Sequence, residues 1–121
     1  MKTHLARTLI CLVCIGLIGI AQSHARTTTP PRVALRVTDL TPGERDLLNQ
    51  DLHERGDLRI SFACVPAGIL IIEAIDGQRS AESVRALALS AIIGLLPAER
   101  RMEVALTQQE AEDLCSAART F

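Results

Sequence analysis

The sequence predicts an α+β domain built from a small antiparallel sheet and the helices that pack against it. The first observation is a strand–turn–strand pattern over residues 58–76. The second is a pair of strong helix-start signals, at Thr41 and at Thr107. The third is the alternation of apolar residues near Val33 and near Met102, which is typical of half-buried strands. Together these patterns predict two strand–helix–strand units followed by one further helix.

The segment 58–76 is the hydrophobic centre around which the other elements are arranged. Apolar side chains alternate with others over Leu58–Cys64, as in a strand with one buried face. Pro66 and Gly68 predict a turn, because proline presets φ and glycine accepts a positive φ. Ile69–Ile72 follows as four consecutive branched apolar residues, which predicts a strand covered on both faces. We therefore expect a hairpin whose second strand lies deeper in the sheet than its first.

The first 25 residues have the pattern of a secretory signal peptide. A basic start precedes an uncharged apolar run over residues 10–21, and small residues at Ser23 and Ala25 suit a cleavage site. The alternative is an uncleaved membrane anchor, but a run of about a dozen residues is short of the roughly 20 that a bilayer span requires. We expect residues 26–32 to form an extended leader and residues 33–121 a single domain, which meets the membrane only through the signal peptide during export.

The composition of residues 26–121 argues against several classes of function. Removing Lys2 and Arg7 from the 13 basic residues leaves 11 arginines against 14 acidic residues, a net charge of −3. Without a basic patch, nucleic acid is not expected as a partner. The chain has no Trp or Tyr and only two Phe, Phe62 and Phe121, so platforms for stacking bases or sugars are hard to build. The core must therefore consist of aliphatic side chains.

The first strand is predicted over residues 33–38 and the first helix over residues 42–55. Thr41 caps this helix, Pro42 suits its first position, and Glu44 completes a capping box. Gly56 can then end the helix in the left-handed conformation. The apolar stripe of this helix is narrow, so we expect it to be only partly buried; it consists of Leu47, Leu48 and Leu52.

Ser80 caps a second helix that is predicted to continue to about Leu96, before Pro97. Its expected core stripe consists of Val84, Leu87, Ala88, Ala91 and Leu95. A surplus apolar face falls roughly opposite and consists of Leu89, Ile93 and Leu96. A helix that is apolar on two sides needs a second cover, so we expect this face to meet a partner, a second copy, or the C-terminal helix.

Met102, Val104 and Leu106 alternate in the last predicted strand, and Thr107 with Glu110 forms a capping box for the C-terminal helix. The element order is therefore β-α-β-β-α-β with one helix appended. Two split β-α-β units fold most simply into a four-stranded antiparallel sheet with both helices on one face, the ferredoxin-like arrangement. That arrangement places the third strand inside the sheet and the second at an edge, which suits their apolar patterns.

Two cysteines remain once Cys11 and Cys14 are removed with the signal peptide, namely Cys64 and Cys115. An even number in an exported domain favours a disulfide, and both residues lie on apolar faces of their predicted elements. In the ferredoxin-like order, the C-terminal helix must cross the sheet for the two side chains to meet. Two buried thiols, or a metal-binding or redox pair, are the alternatives.

The sequence contains no catalytic, cofactor-binding or metal-binding set of residues that we can name. Domains of the heavy-metal-associated family hold C-x-x-C after the first strand, whereas residues 38–42 here contain no cysteine, so any resemblance ends at element order. His53 is the only histidine beyond residue 25 and lies in a charged helix. Glu73, the acidic residue inside the hairpin, is expected to pair with an arginine of a neighbouring strand, such as Arg36 or Arg59.

These observations predict a small exported interaction module, periplasmic or secreted, without enzymatic activity. Its partner would be another exported protein or a second copy in a homodimer. The contact would use the surplus apolar face or the edge of the second strand. The alternative function is a thiol-based metal-binding or redox protein that uses Cys64 and Cys115.

Overall fold

A computed structural model describes residues 30–120 of the 121-residue chain. The predicted signal peptide and most of the predicted leader, residues 1–29, lie outside the described residues. The elements are β1 (Arg32–Val37), α1 (Pro42–Arg55), β2 (Leu58–Cys64), β3 (Ile69–Ala74), α2 (Ala81–Ile93), a 3₁₀ turn (Ala98–Arg100), β4 (Arg101–Val104) and α3 (Gln108–Arg119). The described chain is therefore an α+β unit with three α-helices, as the sequence predicts.

The four strands form one antiparallel sheet in the order β2-β3-β1-β4. The third strand lies inside this sheet and the second lies at an edge, in agreement with the sequence patterns. All six residues of β3 are buried, because helices cover both of its faces. β1 begins at Arg32, and the Ala74 amide donates a hydrogen bond to the Pro31 carbonyl, so the sheet includes the end of the predicted leader.

Two hydrophobic clusters lie on opposite faces of the sheet. On the face that we call the first face, α1 and α2 pack over β1, β2 and β3. The fully buried side chains there include Leu35, Leu52, Leu70, Ile72, Val84 and Ile92. On the second face, α3 packs over a smaller cluster that includes Ala34, Cys64, Ile69, Ile71, Ala111 and Cys115. The sheet is thus the middle of three layers.

A bulge at Ser61 changes which face of the sheet each half of β2 supplies. Ile60 pairs with Ile72 and Phe62 pairs with Ile71, so Ser61 has no opposite residue on β3. Ile60 therefore packs in the first-face cluster, whereas Phe62 packs in the second-face cluster. The prediction that the alternating residues of β2 share one face is wrong beyond Ile60. The extra residue is also what directs Cys64 toward α3.

The second helix ends at Ile93, three residues before the predicted end at Leu96. Gly94 caps the helix with helical backbone angles, and the amides of Leu95 and Leu96 both donate to the Ile92 carbonyl in the last turn. This turn carries the side chain of Leu96 into the first-face cluster, where it is 2% exposed. Leu96 therefore does not lie on the outer face of α2.

Candidate functional site at the edge of β2

The free edge of β2 is bordered by a groove between this strand and α1. Within residues 30–120, β2 pairs with β3 alone, which leaves its other edge without a neighbouring strand. The groove has a volume of about 240 Å³. It is lined by Arg45, Asp46 and Asn49 from α1 and by residues 60–63 of β2. An edge of this kind presents backbone amide and carbonyl groups on which another extended chain can pair.

The helix α1 starts at a capping box and borders the groove with the side next to its two buried leucines. The Thr41 hydroxyl accepts a hydrogen bond from the Glu44 amide, and the Glu44 carboxylate accepts one from the Thr41 amide. Leu48 and Leu52 are buried in the first-face cluster, whereas Leu47 is exposed, so the expected three-leucine stripe is narrower than predicted. With these two leucines turned inward, the helix places Arg45 and Asn49 beside β2.

Arg45 and Asp46 neutralise each other at the rim of the groove. The Arg45 guanidinium lies 2.9 Å from the Asp46 carboxylate and donates a hydrogen bond to it. Asn49 adds an amide that can both donate and accept a hydrogen bond. The α1 side of the groove therefore offers polar groups without an excess of either charge. Such a lining suits uncharged polar side chains of a bound segment.

An ion pair holds the start of α1 to the turn before β4. Arg100 donates to the Glu44 carboxylate at 2.7 and 3.0 Å, and also to the carbonyls of Thr38 and Asp39. The Arg100 hydrogen bonds, followed by that from the Thr41 amide, lower the pKa of Glu44 from 4.5 to about 2. In return, Glu44 raises the pKa of Arg100. Arg100 thus joins the first turn of α1 to the turn before β4 and to the loop after β1.

The buried acidic residue of the hairpin, Glu73, lies on the second face of the sheet, next to β2. The Glu73 side chain is 9% exposed and its carboxylate lies 2.6 Å from the Arg59 guanidinium, which donates to it. Of the two arginines proposed from the sequence, Arg59 is the partner. Ser61, at the bulge, donates its hydroxyl hydrogen bond to the Ile71 carbonyl at 3.3 Å. These contacts pin β2 to β3 and leave its outer edge open.

The two predicted cysteines form a disulfide that ties the end of β2 to α3. The Cα atoms of Cys64 and Cys115 are 5.9 Å apart, and the two residues are 1% and 5% exposed. β2 and β4 are opposite edges of the sheet, so α3 has to cross the sheet for the two cysteines to meet. The bulge turns Cys64 toward the second face, and α3 lies on that face, so the two side chains come together. Because each sulfur is bonded to the other, neither is available as a metal-binding thiolate in this state.

The predicted apolar interaction face is divided by the structure. Leu96 lies in the core, Leu89 is half-buried, and only Ile93 presents a largely exposed side chain, at 66%. The buried residues of α3 pack on the opposite side of the sheet from α2. The C-terminal helix is therefore not the cover that the sequence analysis considers for this face. A binding role for Ile93 stays a prediction.

Among residues 30–120, the structure does not gather His53 with other candidate ligands into one site. His53 is exposed on α1, and no group of three or more His, Cys, Asp or Glu residues that could hold a metal ion occurs among residues 30–120.

Two further clefts lie at the C-terminal end of β1. Their volumes are about 450 and 360 Å³, and both are lined in part by Arg36 and Thr38. Within the described part of the chain, none of the helices combines the length and the hydrophobicity that a membrane span requires.

Comparisons with known proteins do not identify a relative. No family model, no curated protein and no solved structure matches the chain. Sequence reasoning named the edge of β2 but missed the α1 side of the groove. The available signal was that Arg45 and Asn49 are i,i+4 neighbours on one side of the buried Leu48.

Proposed function

We propose that this protein is a small exported interaction module, without enzymatic activity, that binds a short extended segment of another exported protein. The bound segment would add to the sheet as a fifth strand beside β2. The observation that carries this proposal is the free edge of β2 with the α1 groove along it. Strand addition obtains affinity from backbone hydrogen bonds and selectivity from the pockets that flank the edge.

The bulge at Ser61 favours a short segment over a long one. It divides β2 into two regular stretches, Leu58–Ile60 and Phe62–Cys64, and it increases the local twist of the strand. A bulged edge also resists open-ended pairing with other copies of the same chain. A partner protein is therefore favoured over a β2-mediated homodimer.

The fold that we propose is the ferredoxin-like one. The strand order β2-β3-β1-β4, the antiparallel pairings and the packing of α1 and α2 on one face support this assignment. α3 is then an addition on the second face. Since many unrelated functions use this fold, the assignment supports the architecture and not the activity.

Export is supported by the sequence pattern of the first 25 residues and by the disulfide, which persists in oxidising compartments. Expression of the full chain in a Gram-negative bacterium tests this. We expect the product in the periplasmic fraction or the medium, with Arg26 as its N-terminal residue. An uncleaved product in the membrane fraction would indicate an anchor instead.

The binding proposal can be tested by selecting random heptapeptides on the oxidised protein, residues 26–121. Amide chemical shifts recorded by NMR should then change along β2 and along residues 45–49 of α1. Asn49→Trp should fill the groove and weaken binding by about tenfold or more, since a clash at a contact centre is costly. Gln50→Trp, on the neighbouring exposed position outside the groove lining, is the matched control. Selected peptides that shift only residues near Ile93 would overturn the proposal.

The thiol-based alternative gains no specific support. The bonded state of Cys64 and Cys115 and their near-complete burial fit a structural crosslink. We therefore propose a single function.

A further inference from the structure

α3 is attached to the sheet mainly by the disulfide, and little by packing. Of its 12 residues only Ala111 and Cys115 are buried, and both side chains are small. Leu114, the largest apolar residue of the helix, is 40% exposed. A helix of this length is marginal in water without tertiary contacts. The capping box at Thr107 helps it to start but does not hold it against the sheet.

The surface beneath α3 is an apolar sheet face. Ala34, Ile69 and Ile71 are at most 6% exposed there, and Phe62 and Val104 border them. The first-face cluster, by contrast, is larger and contains neither cysteine. The core of the domain can therefore persist when the second face is uncovered.

We propose that α3 is a redox-controlled lid: reduction of Cys64–Cys115 releases the helix and uncovers the apolar second face of the sheet. The reductant would be a dithiol. This release involves the second face alone and requires no ligand at the β2 edge, so it is independent of the proposed function.

The reduction consists of two exchange steps. A thiolate of the dithiol attacks the Cys115 sulfur, which is the more exposed of the two, and the Cys64 thiolate leaves. The second thiol of the reductant then displaces Cys115, and the reductant departs as a disulfide. Two electrons pass to the cysteine pair, and the two protons of the dithiol balance those that the cysteines gain. Because Cys115 is 95% buried, attack requires a transient opening of α3.

Hydrogen exchange measured by NMR on residues 26–121, with and without dithiothreitol, tests the lid. In the reduced protein the amides of residues 111–119 should exchange about 100-fold faster or more, the factor that a typical disulfide stabilisation implies. Amides of β1 and β3 should stay protected, and the fluorescence of the dye ANS should increase as the apolar face is uncovered.

A variant that lacks both thiols, Cys64→Ala with Cys115→Ala, separates release from side effects of the reductant. It should show the same fast exchange in α3 without dithiothreitol, and no further change on its addition. Retained protection of α3 in the reduced protein would overturn the proposal. So would loss of protection in every strand together, since the disulfide would then stabilise the whole domain and not a lid.

Discussion

Gly68 closes the turn between β2 and β3 in direct contact with the backbone of β1. Its φ is +66°, and its carbonyl accepts a hydrogen bond from the Val37 amide at 2.7 Å. A Cβ at this position would overlap the Val37 carbonyl oxygen. The residue type is therefore set by space as well as by backbone conformation.

We expect Gly68→Ala to lower the free energy of unfolding by at least about 2 kcal/mol, from left-handed strain and displacement of the β1 backbone. Gly56→Ala is the matched control, because Gly56 has a similar φ of +75° but open space around it. Its cost should be about 1 kcal/mol, from strain alone. Urea unfolding of the two variants measures the difference. Equal costs would mean that the contact with Val37 relaxes freely.

The Glu44–Arg100 pair makes stability depend on pH in a defined interval. Because the pKa of Glu44 is lowered on folding to about 2, its contribution is fully present above about pH 4.5 and is lost as the pH falls toward 2. In Arg100→Gln, the pH-dependent part of the stability in this interval should therefore shrink. The carbonyl contacts with Thr38 and Asp39 are lost too, but they do not titrate.

The measurement is urea unfolding of the wild type and the variant at pH 7 and at pH 2. The stability difference between the two proteins should be larger at pH 7 than at pH 2. Arg55→Gln is the control, since its exposed pair with Asp51 is of the i,i+4 type worth a few tenths of a kcal/mol. A difference between wild type and Arg100→Gln that is the same at both pH values would contradict the role of Glu44.

At the scale of elements, α2 provides two adjacent isoleucines with opposite environments. Ile92 is fully buried in the first-face cluster, and Ile93 is 66% exposed. Ile92→Ala should destabilise the domain by about 3 kcal/mol through lost burial and a cavity. Ile93→Ala should change the stability by less than about 0.5 kcal/mol. Thermal unfolding of both variants distinguishes them, and a costly Ile93→Ala would show that its side chain is covered in solution.

The sequence predicted the start of each helix better than the end of α2. Starts depend on local hydrogen bonds that a few residues encode, such as the capping boxes at Thr41 and Thr107, and both are present. The end of α2 carries no comparable local signal before Pro97, and Leu96, four residues after the buried Ile92, is itself buried in the first-face cluster. The expected core stripe leaves out Ile92, and Leu96, one turn further along the same side of the helix, is for that reason assigned to the interaction face.

The bulge in β2 was not predictable from the alternation of its residues. Leu58, Ile60, Phe62 and Cys64 fit an unbroken period of two equally well. What distinguishes the two halves is tertiary: Leu58 and Ile60 meet the two-helix side, and Cys64 must meet Cys115 on the other. The burial of β3 on both faces, by contrast, was predictable, because four branched apolar residues in succession leave no polar face.

At the scale of the whole molecule, the disulfide joins two layers that are distant in the chain. It closes a loop across a sequence separation of 51 residues, which corresponds to about 4 kcal/mol in the chain-entropy model. A domain of this size has a total stability of roughly 5–15 kcal/mol. Phe62, the aromatic side chain of the thin second-face cluster, is only partly buried, so this cluster could not hold α3 equally well. The crosslink therefore substitutes for packing on that side.

The bulge at Ser61 also determines how the molecule behaves toward its own copies. Deletion of Ser61 would leave Ile60 and Phe62 adjacent, and adjacent residues of a regular strand face opposite sides, as these two already do. The deletion variant should therefore keep the core contacts and the disulfide while its edge becomes straight. A straight exposed edge pairs readily with another, so we expect this variant to self-associate.

Sedimentation velocity of the oxidised proteins checks this expectation over a series of concentrations. The wild type should sediment as a monomer, and the Ser61 deletion should form dimers or larger species. Ser61→Ala is the control, because it removes the hydroxyl bond to Ile71 but keeps the extra residue, and it should stay monomeric. Far-ultraviolet circular dichroism and a thiol assay confirm that the deletion variant is folded and crosslinked. If the deletion variant is folded and crosslinked and is still monomeric, the bulge does not protect the edge of β2. The twist of β2 or the nearby α1 side chains must then do so.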